Sequence, residues 1–380
     1  MTDWFDWIHP VAPLFQPVLF VQRIVDSRDS DSDCSESFLL LVASICAATV
    51  ASLRRRHHLY GEVTVEHCIA LADRFHFWNS SSNITLERTL TLYNFTSATF
   101  HESGVDSLAY RLIAESSSSL KYLIHHELDQ LSFLEQQVLK RLYWLVYAGQ
   151  CTCDMHGRPL LVLRHAHESV TALLPMDVSD EELLHGPNAN LSTSSNLAYS
   201  YVPGLNALSR LFLVWQSSQA ISAQTMENLQ EHISRAHRAL DPLPPELTWQ
   251  GRATQVSDFG VNVQKVNLKI TQLHVRSNLL EQMNALAKDQ ELHVTPDVII
   301  EERHRVVDEL LEILYHMPKE VFDANGYSIV PKIRDIGGAL LDELRTGSHG
   351  RTMKASISLD KLLAKLEELD MRAMAQTPYL

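Results

Sequence analysis

Glycine is scarce in this chain: 13 glycines and 14 prolines are spread over 380 residues. Barrels, sandwiches and glycine-rich nucleotide folds need many turns and close backbone approaches, so this scarcity argues against all three. No convincing run of alternating apolar and polar residues marks a strand. Positive charge is also short, since 32 Lys and Arg face 46 Asp and Glu for a net charge of −14. Nucleic-acid binding rests on cations that neutralise phosphates, which makes the chain as a whole a poor partner for DNA or RNA. The five cysteines (Cys34, Cys46, Cys68, Cys151, Cys153) are an odd set in a long chain. They exclude a dense disulfide framework and fit reduced thiols inside a cell.

Long apolar runs are missing too. Phe38 to Leu53 carries no charge and is followed by Arg54, Arg55 and Arg56, but Ser44, Thr49 and Ser52 interrupt it. A membrane span needs about 20 predominantly apolar residues, so the expectation is a buried helix with a basic C-terminal turn and no membrane contact. The N-terminus is acidic and aromatic (Asp3, Trp4, Asp6, Trp7), unlike a secretory signal. The glycosylation sequons at Asn79, Asn83, Asn94 and Asn190 therefore read as chance.

Familiar catalytic motifs are absent: no phosphate-binding loop, dinucleotide fingerprint or nucleophile elbow occurs. His126-Glu127 opens like a zinc-protease motif, but Gln130 stands where the second histidine belongs. Asp26, Asp29, Asp31 and Asp33 lie in a serine-rich stretch with no second metal motif to match. Cys151, Cys153 and His156, with His165 and His167 beyond, suggest metal, yet Cys-x-Cys is not the usual zinc spacing. Small packing residues at a helix end are the expectation there. No catalytic, metal or cofactor residue is assigned.

What the chain does have is helical periodicity. Apolar residues recur at three-four spacing through Leu131, Leu134, Val138, Leu142 and Leu145, and again through Val266, Ile270, Leu273, Ser277, Leu280 and Met283. A third stripe, Val306 to Met317, stops near Pro318, and Pro331 opens a fourth through Ile333, Ile336, Leu340 and Leu344. Shorter helices are expected around Val65–Phe77, Leu86–Phe100, Ser107–Ala114, Leu205–Gln216 and Met226–Leu240. The reading is all-α, a single large multi-helix domain over residues 37–346. An N-terminal segment with an acidic serine-rich loop (1–36) precedes it, and a tail helix (347–380) that packs back on the domain follows. Ser27–Glu36, Gly186–Tyr201 and Asp241–Gln255 are the expected irregular stretches.

One ordered set of motifs is more specific. Arg141 and Trp144 share a face of an amphipathic helix, His156-Gly157-Arg158-Pro159 follows, and Leu174-Pro175 comes after that. Gly157 suits a left-handed helix end, Pro159 blocks continuation, and Arg158 between them is placed to satisfy carbonyls or a carboxylate of that turn. This set resembles the middle homology (regulatory) region of the fungal binuclear zinc-cluster transcription factors. Looser similarities run from His9-Pro10 through Leu243-Pro244, Leu247 and Trp249 to Lys332-Ile333-Arg334. The helix from Val266 to Arg276 resembles the family's helix in which a histidine and an arginine close an apolar stripe. Gly149 and Gln150 depart from the acidic residue and arginine often found after the tryptophan helix.

The resemblance implies a nuclear, non-catalytic regulator of transcription, of sugar or secondary metabolism for example. Such a module works through proteins of the transcription machinery, with a small-molecule effector or a second copy as further partners. Arg141, Trp144, Gly157, Arg158 and Pro159 are then fold-defining. The family's DNA-reading cluster needs six cysteines around two zinc ions, and this chain cannot supply it. Zinc and DNA enter only through a separate or upstream cluster. An all-α enzyme or a partner-binding scaffold on the same fold is the alternative.

Overall fold

The computed structural model describes the chain except for residues 30–34, 80–83, 105, 159–162, 164–169, 186–199, 252–257, 290–295, 347–348 and 370–380. Among the described residues there are α-helices and short 3-10 or π turns but no strand, so the all-α reading stands. Contacts divide the chain into two compact units. The first holds Met1–Cys153 and Pro159–Asn206, the second Asp154–Arg158 and Ala207–Leu380.

The first unit opens with α1 (Pro17–Asp29), followed by α2 (Glu36–Ser52), α3 (Val65–Arg74), α4 (Leu86–Ser103), α5 (Ser107–Tyr122) and α6 (Phe133–Met155). Two short helices, α7 (Val170–Leu173) and α8 (Asp180–His185), come next, and α9 (Val202–Gln219) begins at its end. Helix starts follow from side-chain oxygens that accept the free amides of the first turn. Ser35 caps α2, Thr64 α3, Thr85 α4 and Asp106 α5. The 36–52 stretch is a core helix with eleven buried residues, and none of the described helices is long and apolar enough to cross a membrane. Its alanines, Ala47 and Ala51, join Leu92, Phe95 and Ala98 of α4 and Leu112 of α5 in one apolar cluster. Small side chains let α2 and α4 approach closely, so alanine content reflects helix packing here rather than weak apolarity.

Three expectations need correction in this unit. The basic run after α2 does not extend its last turn but forms a separate 3-10 helix, Arg54–Leu59. Arg56 is held there by a two-pronged contact to Asp3 at 2.8 and 2.9 Å, and Arg54 by Glu102 at 3.2 Å. Ser27–Asp29, expected in a loop, still belongs to α1, and α5 runs eight residues past Ala114. Asn94, one of the sequons, is fully buried and donates to Ser44 Oγ, which leaves no room for a sugar.

The second unit is built on α11 (Phe259–Asp289), a 31-residue helix. Around it pack α10 (Met226–Arg238), α12 (Pro296–His316), α13 (Lys319–Asn325) and α14 (Ile329–Thr346). The last helix, α15 (His349–Leu369), packs on α12 and α14 and buries Ala355, Ser358 and Leu362. Pro331 sits in the first turn of α14, where its missing N–H costs no hydrogen bond. Both apolar and polar residues of α11 are buried, so its polar side chains must find partners inside the protein. Gln272 does so by donating to the carbonyls of Ala236 and His237 in the last turn of α10 (3.0 and 2.7 Å), of which Ala236 also accepts the Ala239 amide.

Candidate functional site

Two polar clusters stand out, one in each unit. In the first, Arg141 and Trp144 lie fully inside on α6. The start of α6 is set by a capping box: the Ser132 amide donates to Glu135, and the Glu135 amide to Ser132 Oγ. Arg141 Nη1 donates to Asp180 (2.6 Å) and to the Pro13 carbonyl (3.0 Å), while its Nε and Nη2 have no partner among the described residues. Asp180 is the first residue of α8, and a second capping box, Ser179 with Glu182, holds that helix start in place. His9 Nε2 lies 3.2 Å from the other oxygen of the same carboxylate. Burial works to raise the Asp180 pKa, but the hydrogen bond from His9 and the Arg141 charge outweigh it, so the carboxyl sits below the usual range.

Trp144 donates from Nε1 to the carbonyl of Leu173 at 2.9 Å, the end of α7. The segment that follows is tied to its neighbours as well: the Met176 amide donates to Gln137 of α6, and Asn206 donates to the Pro175 carbonyl. Thus the Arg141–Trp144 helix and the Leu174-Pro175 stretch, separate in sequence, meet in space. Gln150 is fully buried, donates to Ser117 and accepts the Leu163 amide at 2.7 Å. At this position, where the sequence departs from the family pattern, a neutral amide does the pairing.

The expected turn is partly recovered. Gly157 has φ +67°, the left-handed conformation, and its amide donates to Asp154 at 2.9 Å. Arg158 is exposed, with no hydrogen bond or ion pair among the described residues. Pro159 lies outside the described residues, as do His165 and His167. Cys151, Cys153 and Cys68 are buried and Cys46 is half-buried, none of them in a disulfide among the described residues; Cys34 is outside the described residues.

The second cluster was not anticipated from sequence. His156 Nδ1 and His274 Nε2 both address a single oxygen, Asp335 Oδ2, at 2.6 and 2.9 Å. The three come from the residue just past α6, the middle of α11 and the second turn of α14. His274 is fully buried, His156 is half-buried, and Asp335 is 40% exposed. Burial pulls His274 down to about 4, against the opposing pull of Asp335, so its ring is neutral at physiological pH. Burial also works to raise Asp335, but hydrogen bonds from both rings prevail and hold it far below the usual carboxylate range. One turn before Asp335, Lys332 is buried and donates to Thr271 Oγ1 at 2.8 Å, and desolvation lowers its pKa to about 8.

No family model, no curated protein and no solved structure matches the chain. Periodicity had marked the stripe of α11 that runs beside His274, but nothing local pointed to Asp335. The signal available for Asp180 was the Ser-x-x-Glu pattern of its capping box, read from Ser179 to Glu182.

Proposed function

We propose that this chain is the helical regulatory body of a fungal transcription regulator of the binuclear zinc-cluster type. It is non-catalytic, nuclear, and acts through protein partners, with DNA contacted only by a separate six-cysteine cluster. The observation that carries the reading is the joining of the resembling motifs. The Arg141/Trp144 helix and the Leu174-Pro175 stretch, which the resemblance pairs by order alone, are bonded through Trp144 to Leu173 at 2.9 Å. A folding signature calls for buried, bonded residues; Arg141 and Trp144 are both, whereas Gly157 and Arg158 of the same motif set are exposed. The net charge of −14 agrees with a body that does not itself hold DNA.

Fusing the full chain to an unrelated sequence-specific DNA-binding domain, upstream of a reporter in a fungal cell, tests the proposal. Reporter output should differ from that of the DNA-binding domain alone, and the unfused chain should show no sequence-selective DNA binding at physiological salt. An unchanged reporter with the fusion expressed and nuclear would remove the regulatory role. Selective DNA binding by the chain alone would remove the division of labour.

A further inference from the structure

We propose that His156, His274 and Asp335 form a binding site for one divalent transition-metal ion of zinc-like character. The proposal is independent of the regulatory reading, which assigns no metal to this chain. Three ligand atoms from three different helical segments converge, all within 4.8 Å of one another. Two imidazole nitrogens approach the same carboxylate oxygen, a convergence that one shared cation at its centre would explain. Tetrahedral bonds of about 2.0–2.1 Å place ligand atoms roughly 3.3 Å apart. The nitrogen–oxygen gaps of 2.6 and 2.9 Å need open by about 0.7 and 0.4 Å to reach that spacing.

The donor set decides the class of ion. Two imidazoles and one carboxylate suit zinc, iron(II) or cobalt, whereas magnesium and calcium call for oxygen alone. Three protein ligands leave at least one coordination position for water, and the 40% exposure of Asp335 gives solvent a way in. His274, packed inside α11, supplies the rigid ligand, and Asp335 and His156 the adjustable ones. Lys332, whose charge is felt at His274, adds positive charge near the site, which weakens binding. An ion here would cross-link the residue after α6 to α11 and α14 within the second unit.

The test is a titration of the full-length, chelator-stripped chain with zinc by calorimetry and with cobalt by absorption. The expected result is one ion per chain, a cobalt spectrum of nitrogen and oxygen ligands, and a thermal midpoint that rises with zinc. Asp335→Asn and His156→Gln, each checked for helical circular dichroism, should weaken binding by more than about 100-fold, beyond what loss of an outer-shell partner gives. Binding weaker than about 1 mM, unchanged affinity in both variants, or a thiolate charge-transfer band pointing to Cys151 and Cys153 would each overturn the site. If a variant fails to fold, the stoichiometry and cobalt spectrum of the unmodified chain decide alone.

Discussion

Each unit buries an arginine on a long helix, and the two are neutralised differently. Among the described residues Arg141 has one carboxylate, Asp180, plus the Pro13 carbonyl. Arg276 has two, Glu302 at 2.5 Å and Glu309 at 3.1 and 3.2 Å, and these are further shared with Arg305 and Lys269. Taking a guanidinium out of water is costly, and removing its lone counter-charge leaves the full desolvation penalty behind. A network with two carboxylates loses only part of its compensation when one is neutralised. Among the described residues, the first unit therefore balances its arginine with one carboxylate, and the second with two.

The sharpest way to break this contrast is to neutralise one carboxylate in each unit. Asp180→Asn should cost about 3–5 kcal/mol of folding stability, and Glu302→Gln only about 1–2 kcal/mol, read from denaturant midpoints. Equal losses would mean that Glu309 does not share the load. Asp180 adds a pH signature, because its folded pKa lies below the ordinary aspartate value of 3.8. Its stabilisation is complete above about pH 4 and fades as pH falls through the lowered folded value.

Lys332 gives the second unit the opposite signature. Its folded pKa of about 8 lies below the unfolded 10.5, so between these pH values the unfolded chain holds a proton that the folded chain lacks. Stability therefore rises with pH across that window, by up to about 3 kcal/mol. Lys332→Met should abolish that rise and stabilise the protein by about 1–2 kcal/mol near neutrality. Parallel denaturation series at pH 7, 8.5 and 10 would expose a failure if the two proteins keep the same slope.

The smallest effects come from two glycines at the end of α6. Among the described residues neither has a neighbouring atom within 4 Å of an added Cβ, so backbone preference separates them. Gly149→Ala, at a helical position, should gain about 0.5–1 kcal/mol. Gly157→Ala, at φ +67°, should lose about 1 kcal/mol. Thermal midpoints moving in the same direction would contradict the left-handed turn.

Local chemistry made much of the fold legible: three-four periodicity, caps such as Thr64, Thr85 and Asp106, and the left-handed Gly157 are all decided within a turn or two of the chain. The 31-residue α11 shows where that reach ends. Its apolar stripe is visible in sequence, and its polar residues read naturally as a solvated face. Several are instead buried, and four of them tie α11 to three neighbours: Gln272 to α10, Arg276 to α12, and His274 and Thr271 to α14.

The basic run after α2 teaches the same lesson, since only folding brings Asp3 to Arg56. By itself the sequence determined that this protein is helical, where some helices begin (α3 at Val65, α4 at Leu86, α5 at Ser107), and which apolar stripe of α11 faces inward. These are consequences of steric and hydrogen-bond preferences acting over a few residues. The tertiary structure alone decided which carboxylate answers Arg141 and which aspartate meets His156 and His274. Those pairs span 39, 179 and 61 residues, and no local preference encodes which helices will lie side by side.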